Sequence, residues 1–346
     1  MKIAIFEIEN WEEKYLKKQL NGNKLIFLKE PLNEKNIKKI KDVEVLCIFI
    51  YSFITKKTLV KLSNLKAIAT RSTGFDHIDI YECKKRKIVV SNVPYYGENT
   101  VAEHTFALIL SLSRKIHLSY EKTKKRDFSI ERLRGFDLKG KTIGIIGLGK
   151  IGKNVAKIAR SFGMEVISYD VFKDKQFAKI NEIKYVSLNY LLKNADIISL
   201  HCNYSKDTHH LINKKNIRLI KKGAYIINTA RGGLIETKAL IKALEKKQLA
   251  GAGLDVLEKE YEIKEESQLL HKNNKNKINF LKKLLSMENV IITPHNAFNS
   301  QEALKRILDS TVDNIRCIIN NKCQNQVNWT HNKDLNLSLL RVTLLI

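Results

Sequence analysis

No apolar run in this chain approaches the ~20 residues that a bilayer-spanning helix needs, so no membrane helix is expected. The N-terminal residues Met1 to Glu7 read as a first strand, without the longer apolar region and cleavage site of a secretory signal. The five cysteines, Cys47, Cys83, Cys202, Cys317 and Cys323, form no C-x-x-C pair, and no metal site is expected. Four of them fall in apolar or helical runs where a buried thiol is the simple reading, which fits a reducing, cytoplasmic compartment. Acidic residues are also scarce: 36 Asp and Glu face 62 Lys and Arg, a net charge of +26. Yet no recognised nucleic-acid motif accompanies that charge, and the lysines are scattered singly and in pairs such as Lys17-Lys18 and Lys246-Lys247. The excess reads as a general compositional bias, with neither nucleic acid nor membrane expected as a partner.

What is present is ordinary globular material. With 44% apolar and 28% charged residues, 346 residues suffice for two domains with a cleft. Short β-rich runs (Lys2 to Ile8, Lys24 to Leu28, Val43 to Ile50, Leu65 to Thr70, Lys87 to Ser91) alternate with amphipathic segments, predicting a parallel sheet covered by helices. A long helix is predicted from about Asn99 to Tyr120. The alternation restarts at Lys141, with strands at Lys141 to Ile146, Glu165 to Asp170, Asp196 to His201, Ala224 to Thr229, Gly251 to Val256 and Val290 to Thr293. A final amphipathic helix, Ser300 to Asn320, can return to the first half and make the N-terminal domain discontinuous. The polar stretch from Glu258 to Met287 reads as a lid or surface decoration, with helical hints at Phe280 to Leu285. No role is assigned to residues 331–346, and no repeat is evident beyond the two α/β halves.

The restart carries Gly147-Leu148-Gly149-Lys150-Ile151-Gly152 after an apolar strand and at the start of a helix. Gly147 permits the tight turn, Gly149 lets backbone approach a pyrophosphate, and Gly152 lets helix and strand pack closely. The helix N-terminus offers N–H donors and a positive dipole end to phosphate. Asp170 ends the next strand, roughly 20 residues past the loop, where a carboxylate accepts hydrogen bonds from a ribose. That carboxylate would repel a 2′-phosphate, which points to NAD rather than NADP.

Reducing a keto acid requires a proton donor, a cation for the substrate carboxylate and carbonyl, and a group that keeps the donor protonated. Candidates lie beyond three successive strands: Arg231 in Asn228-Thr229-Ala230-Arg231-Gly232-Gly233, Glu260 after Gly253-Leu254-Asp255-Val256, and His295 in Thr293-Pro294-His295-Asn296-Ala297-Phe298. In an open α/β sheet, ligands gather at the carboxyl ends of strands.

With these segments, Arg71-Ser72-Thr73-Gly74-Phe75-Asp76-His77-Ile78-Asp79, Val93-Pro94-Tyr95-Tyr96-Gly97 and Val101-Ala102-Glu103-His104 make a combination that resembles the D-isomer-specific 2-hydroxyacid dehydrogenases, most closely their D-lactate dehydrogenase branch. The resemblance runs to about residue 328. It implies an α/β fold of two domains, a Rossmann-type NAD-binding domain (99–297) inserted into a flavodoxin-like substrate-binding domain (1–98 and 298–330). It further implies that Arg231 binds the substrate's carboxylate and carbonyl, that His295 passes the proton, and that Glu260 hydrogen-bonds His295. Thr73 and Gly74 would supply carboxylate-binding backbone, with pocket walls from Tyr96 and Phe298, and Tyr51 or Phe53 less directly. Cofactor contacts would include Lys150, Ile151, Asp170, Cys202, Asn203, Thr208, Thr229, Ala230 and Asp255. Asn203 stands where the family usually has proline, so the loop beside the nicotinamide is expected to differ in shape. His77, His104, His209 and His210 receive no chemistry and read as helix or surface residues. The implied function is an NAD-dependent D-lactate dehydrogenase, a homodimer like its relatives. The alternatives are a 2-hydroxyacid dehydrogenase for hydroxyisocaproate or aromatic acids, and a non-catalytic NAD-sensing corepressor.

Overall fold

In the computed structural model, residues 1–258, 279–320, 322 and 324–328 are described; Glu260, Cys323, most of the 258–287 stretch and the 331–346 tail lie outside them. The chain divides into two compact units, one of Met1–Tyr96 with the described part of Gln301–Ile346, the other Gly97–Ser300. No helix among the described residues is long and apolar enough to cross a membrane.

The first unit is a five-stranded sheet of β1 (Lys2–Phe6), β2 (Lys24–Leu28), β3 (Val45–Ile48), β4 (Ala67–Thr70) and β5 (Val89–Ser91). Its order is β2-β1-β3-β4-β5 and every pairing is parallel, the flavodoxin-like arrangement. Successive side chains of a strand point to opposite faces, so Ile3, Ile5, Val45 and Cys47 join one core and Ala4, Phe6, Leu46 and Ile48 the other. The helix Gln301–Ile319 lays Leu308, Val312, Ile315 and Ile318 on the first of these faces, beside Leu16 and Leu20. Strand β1 stops two residues earlier than its apolar run suggests, because Glu7 takes a left-handed φ of 54°.

The second unit holds β6 (Thr142–Ile146), β7 (Glu165–Tyr169), β8 (Ile183–Tyr185), β9 (Ile197–Leu200), β10 (Ala224–Asn228), β11 (Leu249–Leu254) and β12 (Val290–Ile292). The order β12-β11-β10-β9-β6-β7-β8, again all parallel, is the Rossmann order extended by one strand. Direction of winding reverses between β6 and β9, the place where such sheets open a ligand crevice. One face is covered by the helices Glu98–Ser113 and Lys150–Ser161 through Phe106, Leu108, Val155 and Ala156, the other by Thr237–Glu245 through Leu240, Ile241 and Leu244.

Two expectations change. The predicted Asn99 to Tyr120 helix is two, Glu98–Ser113 and Ile116–Lys124, broken where Lys115 takes φ 52°. Strand β8 and the helix Leu188–Asn194 are additional elements. The helix Asn279–Leu285, within the described part of the 258–287 stretch, is anchored on the core by the fully buried Leu284, with Phe280 and Met287 packed on the same cluster.

Candidate active site

The glycine loop follows β6 and touches the loop that follows β9. Gly147 has φ 93°, and a Cβ there would lie 2.6 Å from the backbone nitrogen of Cys202. A Cβ on Gly152 would lie 2.1 Å from the carbonyl oxygen of Gly147, so the helix Lys150–Ser161 seats directly on the turn. Gly149 differs: nothing lies within 4 Å of a Cβ built on it. The loop thus leaves one open approach to backbone, beside first-turn N–H groups that have no intrahelical acceptor. Lys150 is exposed and Ile151 half-buried at that first turn.

Asp170 stands at the end of β7, its Oδ2 accepting from the Leu148 N–H at 2.6 Å and its Oδ1 from Phe172 at 2.9 Å. The carboxylate is therefore fixed against the glycine loop with acceptor capacity to spare for ribose hydroxyls. An open glycine, an N-terminal helix turn and an acid at the end of the second strand fit a dinucleotide carrying a free 2′-hydroxyl.

Beyond β9, His201 bonds Ser199 through Nε2 at 2.7 Å, and burial pushes its pKa down to about 3. It is neutral near pH 7 and cannot serve as the proton donor there. Burial likewise pushes the Cys202 thiol up to about 11, leaving it protonated. The exposed Asn203 carbonyl accepts from Thr208 Oγ1 at 2.8 Å, and Thr208 Oγ1 accepts from the Ser205 N–H at 2.7 Å, a closed turn made without proline.

The three strands at the other side of the sheet, β10, β11 and β12, are neighbours, and Arg231 and His295 each follow three residues after the ends of β10 and β12. After β10, the Asn228 side chain donates to the Arg231 carbonyl at 2.9 Å and accepts from the Ala230 N–H at 3.1 Å, while Arg231 Nη1 donates to the Ala230 carbonyl at 2.8 Å. Thr229 is buried with its hydroxyl 2.9 Å from that of Thr105. A Cβ on Gly232 would lie 2.0 Å from the carbonyl carbon of Leu257, so only glycine lets the β11 loop pass so close to Arg231.

After β11, Asp255 is almost wholly buried and accepts from Thr293 Oγ1 at 2.5 Å, the Asn296 N–H at 2.7 Å and the Ala297 N–H at 2.9 Å. Burial alone would raise its pKa, but these bonds and one from His104 outweigh it and hold the carboxyl below its ordinary value. Its carbonyl accepts the His295 N–H at 2.8 Å. Asp255 thereby ties down the turn after β12, in which His295 takes the left-handed φ of 55° and the half-buried Phe298 follows. Glu258 pairs with His210 at 2.7 Å and accepts from the Thr237 N–H at 3.2 Å. Glu260, two residues on, is outside the described residues.

In the first unit, Thr73 Oγ1 donates to the Val93 carbonyl and Asn92 Nδ2 to the Thr73 carbonyl, both at 2.8 Å, which fixes the exposed Thr73 beside the half-buried Gly74. Ser72 Oγ donates to the Gly74 carbonyl at 2.6 Å. His77 is buried with its Nε2 3.2 Å from Thr70, so it is an interior residue rather than a surface one. The Tyr96 carbonyl accepts from Arg306 Nε at 2.5 Å. Glu7 accepts from the Phe49 and Tyr51 N–H groups at 3.2 and 3.0 Å, which fixes the start of the Tyr51–Phe53 loop.

Comparison with known proteins decides the family. A family model described as D-isomer specific 2-hydroxyacid dehydrogenase, NAD binding domain, matches residues 106–297. The chain belongs to the D-isomer-specific 2-hydroxyacid dehydrogenases. The Gly97–Ser300 unit is thus the NAD-binding part of a dehydrogenase of this family. Among relatives, the D-lactate dehydrogenase of Escherichia coli is 34% identical over 91% of this chain and 96% of its own. An aromatic 2-oxoacid reductase of Clostridium sporogenes is 38% identical over 77% of this chain and 80% of its own. Among solved structures, the D-lactate dehydrogenase of Aquifex aeolicus, complexed with NAD and lactic acid, is 36% identical with a TM-score of 0.88 and covers 95% of this chain and all of that one.

Sequence reasoning missed the residues beneath these loops: Thr105, Asn228, Thr293 and His104. His104, Asn228 and Thr293 lay inside segments that marked the family, and Thr105 directly follows one of them.

Proposed function

We propose that the protein is an NAD-dependent D-lactate dehydrogenase that interconverts pyruvate, or a similarly small 2-keto acid, and its D-2-hydroxy acid. The observation that carries this reading is the delivery of Arg231 and His295 from strands that flank β11 on either side, each on a loop pinned by a buried side chain. Bound NADH supplies the hydride. The Arg231 guanidinium holds the substrate carboxylate in a two-pronged contact and polarises the carbonyl. His295, as imidazolium, would donate a ring proton to the substrate's carbonyl oxygen and take it back in the reverse direction. Glu260 favours the imidazolium by its charge. Thr73 and Gly74 contribute carboxylate-binding backbone, and Tyr96 and Phe298 wall the pocket, with residues 1–98 and 298–330 as the substrate-binding domain. Lys150, Ile151, Asp170, Cys202, Asn203, Thr208, Thr229, Ala230 and Asp255 line the cofactor's path. The same reading takes the protein as a cytoplasmic homodimer.

The Clostridium relative favours a second reading, reduction of aromatic 2-keto acids. Purified protein with NADH and a panel running from pyruvate through 2-ketoisocaproate to phenylpyruvate, followed at the nicotinamide absorbance, separates the two. Highest kcat/KM on pyruvate supports the first reading and highest on phenylpyruvate the second. No oxidation of NADH with any member refutes both and favours an NAD-sensing protein.

A further inference from the structure

The motif Val101-Ala102-Glu103-His104 has no part in the reaction just described, yet it lies in the helix Glu98–Ser113, which runs beneath the strands that carry the reacting side chains. The helix comes close because β11 has a glycine where it passes: a Cβ on Gly253 would lie 3.1 Å from Leu108 Cβ. Two consecutive polar residues of this helix reach the strand ends. Thr105 meets Thr229 under the Arg231 loop, and His104 meets Asp255 and Thr293 under the His295 turn.

The direction of the His104 bond follows from proton counting. Its Nε2 lies 3.0 Å from Thr293 Oγ1 and 3.3 Å from Asp255 Oδ1. The one hydroxyl proton of Thr293 already goes to Asp255, and an ionised carboxylate only accepts. Both oxygens facing the ring are therefore acceptors, and Nε2 must carry the hydrogen. His104 thus donates to Thr293 Oγ1 with Asp255 Oδ1 3.3 Å from the same nitrogen, touching both strand ends that frame the His295 turn. Asp255 in turn bonds two backbone N–H groups of that turn by its side chain and that of His295 by its carbonyl.

We propose that His104 is a positioning residue: its Nε2–H locks Asp255 and Thr293 in the rotamers that hold the Thr293–Ala297 turn, and so sets the direction of the His295 imidazole. The proposal rests on the reading of His295 as the proton donor. Without the donor, Asp255 keeps its bonds to Thr293 and the backbone, so the unit stays folded and the cofactor still binds. What is lost is the fixed aim of His295, and a misplacement of a fraction of an ångström lowers turnover by about tenfold or more.

The test compares wild type with His104→Leu, which fills the space without a donor, and His104→Gln, which restores one at similar reach. Keto-acid reduction, NADH affinity by fluorescence and thermal stability are measured together. Expected for His104→Leu is a kcat about tenfold lower or more, with KM and NADH affinity within about twofold, and for His104→Gln a recovery to within about threefold of wild type. Unchanged kcat in His104→Leu, or equal losses in the two variants, overturns the proposal. If His104→Leu does not fold, His104→Asn takes its place: one methylene shorter than Gln, it must lose the activity that Gln keeps, and equal values overturn the idea. A wild type without turnover on any keto acid sinks the function itself, and the positioning is then judged by imidazole ¹⁵N–¹H spectra of the NAD-bound protein. There the His295 signal must shift in His104→Leu and return in His104→Gln; an unmoved signal overturns it.

Discussion

Alanine substitutions at the three glycines of the cofactor loop should separate folding from binding. At Gly152, the new methyl would sit 2.1 Å from a backbone oxygen that cannot swing away. Overpacking of this kind costs ~1–3 kcal/mol, toward the upper end against backbone, and the helix-propensity gain of alanine over glycine returns only ~1 kcal/mol. A net loss of ~2 kcal/mol lowers Tm by ~4–8 °C for a unit of this size. At Gly147, the clash with the Cys202 nitrogen adds to a φ of 93° that alanine rarely adopts, so the loss is larger still. At Gly149 the methyl meets open space. The small cost of alanine at a helix N-cap is offset by the lower entropy of the unfolded chain, and Tm should move by less than ~2 °C. NADH should nonetheless bind Gly149→Ala about tenfold more weakly, because the methyl occupies the approach to backbone that the pyrophosphate needs. Differential scanning calorimetry and NADH fluorescence titration on the same preparations read both quantities. Unchanged NADH affinity in Gly149→Ala would refute the cradle; an unchanged Tm in Gly152→Ala would refute the packing account.

Other expectations follow from single contacts. His295→Ala should lower kcat by ~10²–10⁴-fold with NADH binding intact, and stopped-flow turnover near wild-type values would clear the residue of proton transfer. Asp170→Ala should shift the NADH to NADPH preference toward NADPH, and a constant ratio of kcat/KM for the two cofactors would remove the ribose contact. Arg71, 2% exposed, pairs with Glu12 at 2.8 Å and also donates to the Phe6 and Glu7 carbonyls, so Glu12→Leu leaves a buried cation without its paired carboxylate and should destabilise by ~3–5 kcal/mol in urea unfolding, against near-zero loss if the pair is dispensable. The folded Asp255 carboxyl is held below its ordinary 3.8, so its stabilisation is full above that pH and is lost as pH falls through the lower folded value. Asp255→Asn should therefore flatten the acid decline of unfolding free energy, and an equally steep decline in the variant would argue against the bonds described.

Much of this architecture was readable because parallel strands buried on both faces are continuous apolar runs. Lys24 to Leu28 coincides with its strand, and Glu165 to Asp170 overruns by one residue. Strand β8 escaped notice because Lys184 splits Ile183 from Tyr185 and leaves three residues without a pattern. The break at Lys115 escaped too, since no glycine or proline marks it; the chain turns left-handed there and Phe136 donates to the freed carbonyl of Ser113. Of the site, the glycine loop and Asp170 announced themselves by local spacing. His104 could not, because its partner Thr293 is 189 positions away and only the folded sheet brings them together. Likewise, the anchoring of Asn279–Leu285 depends on Leu284 meeting a cluster built from distant strands, which an isolated polar stretch does not disclose.

The contact of Gly147 with the Cys202 nitrogen has a wider bearing. The turn after β6 and the loop after β9 share a wall only as thick as a glycine. A side chain placed at Gly147 has to push the Cys202 backbone aside, so a change in the turn after β6 displaces the loop after β9 as well.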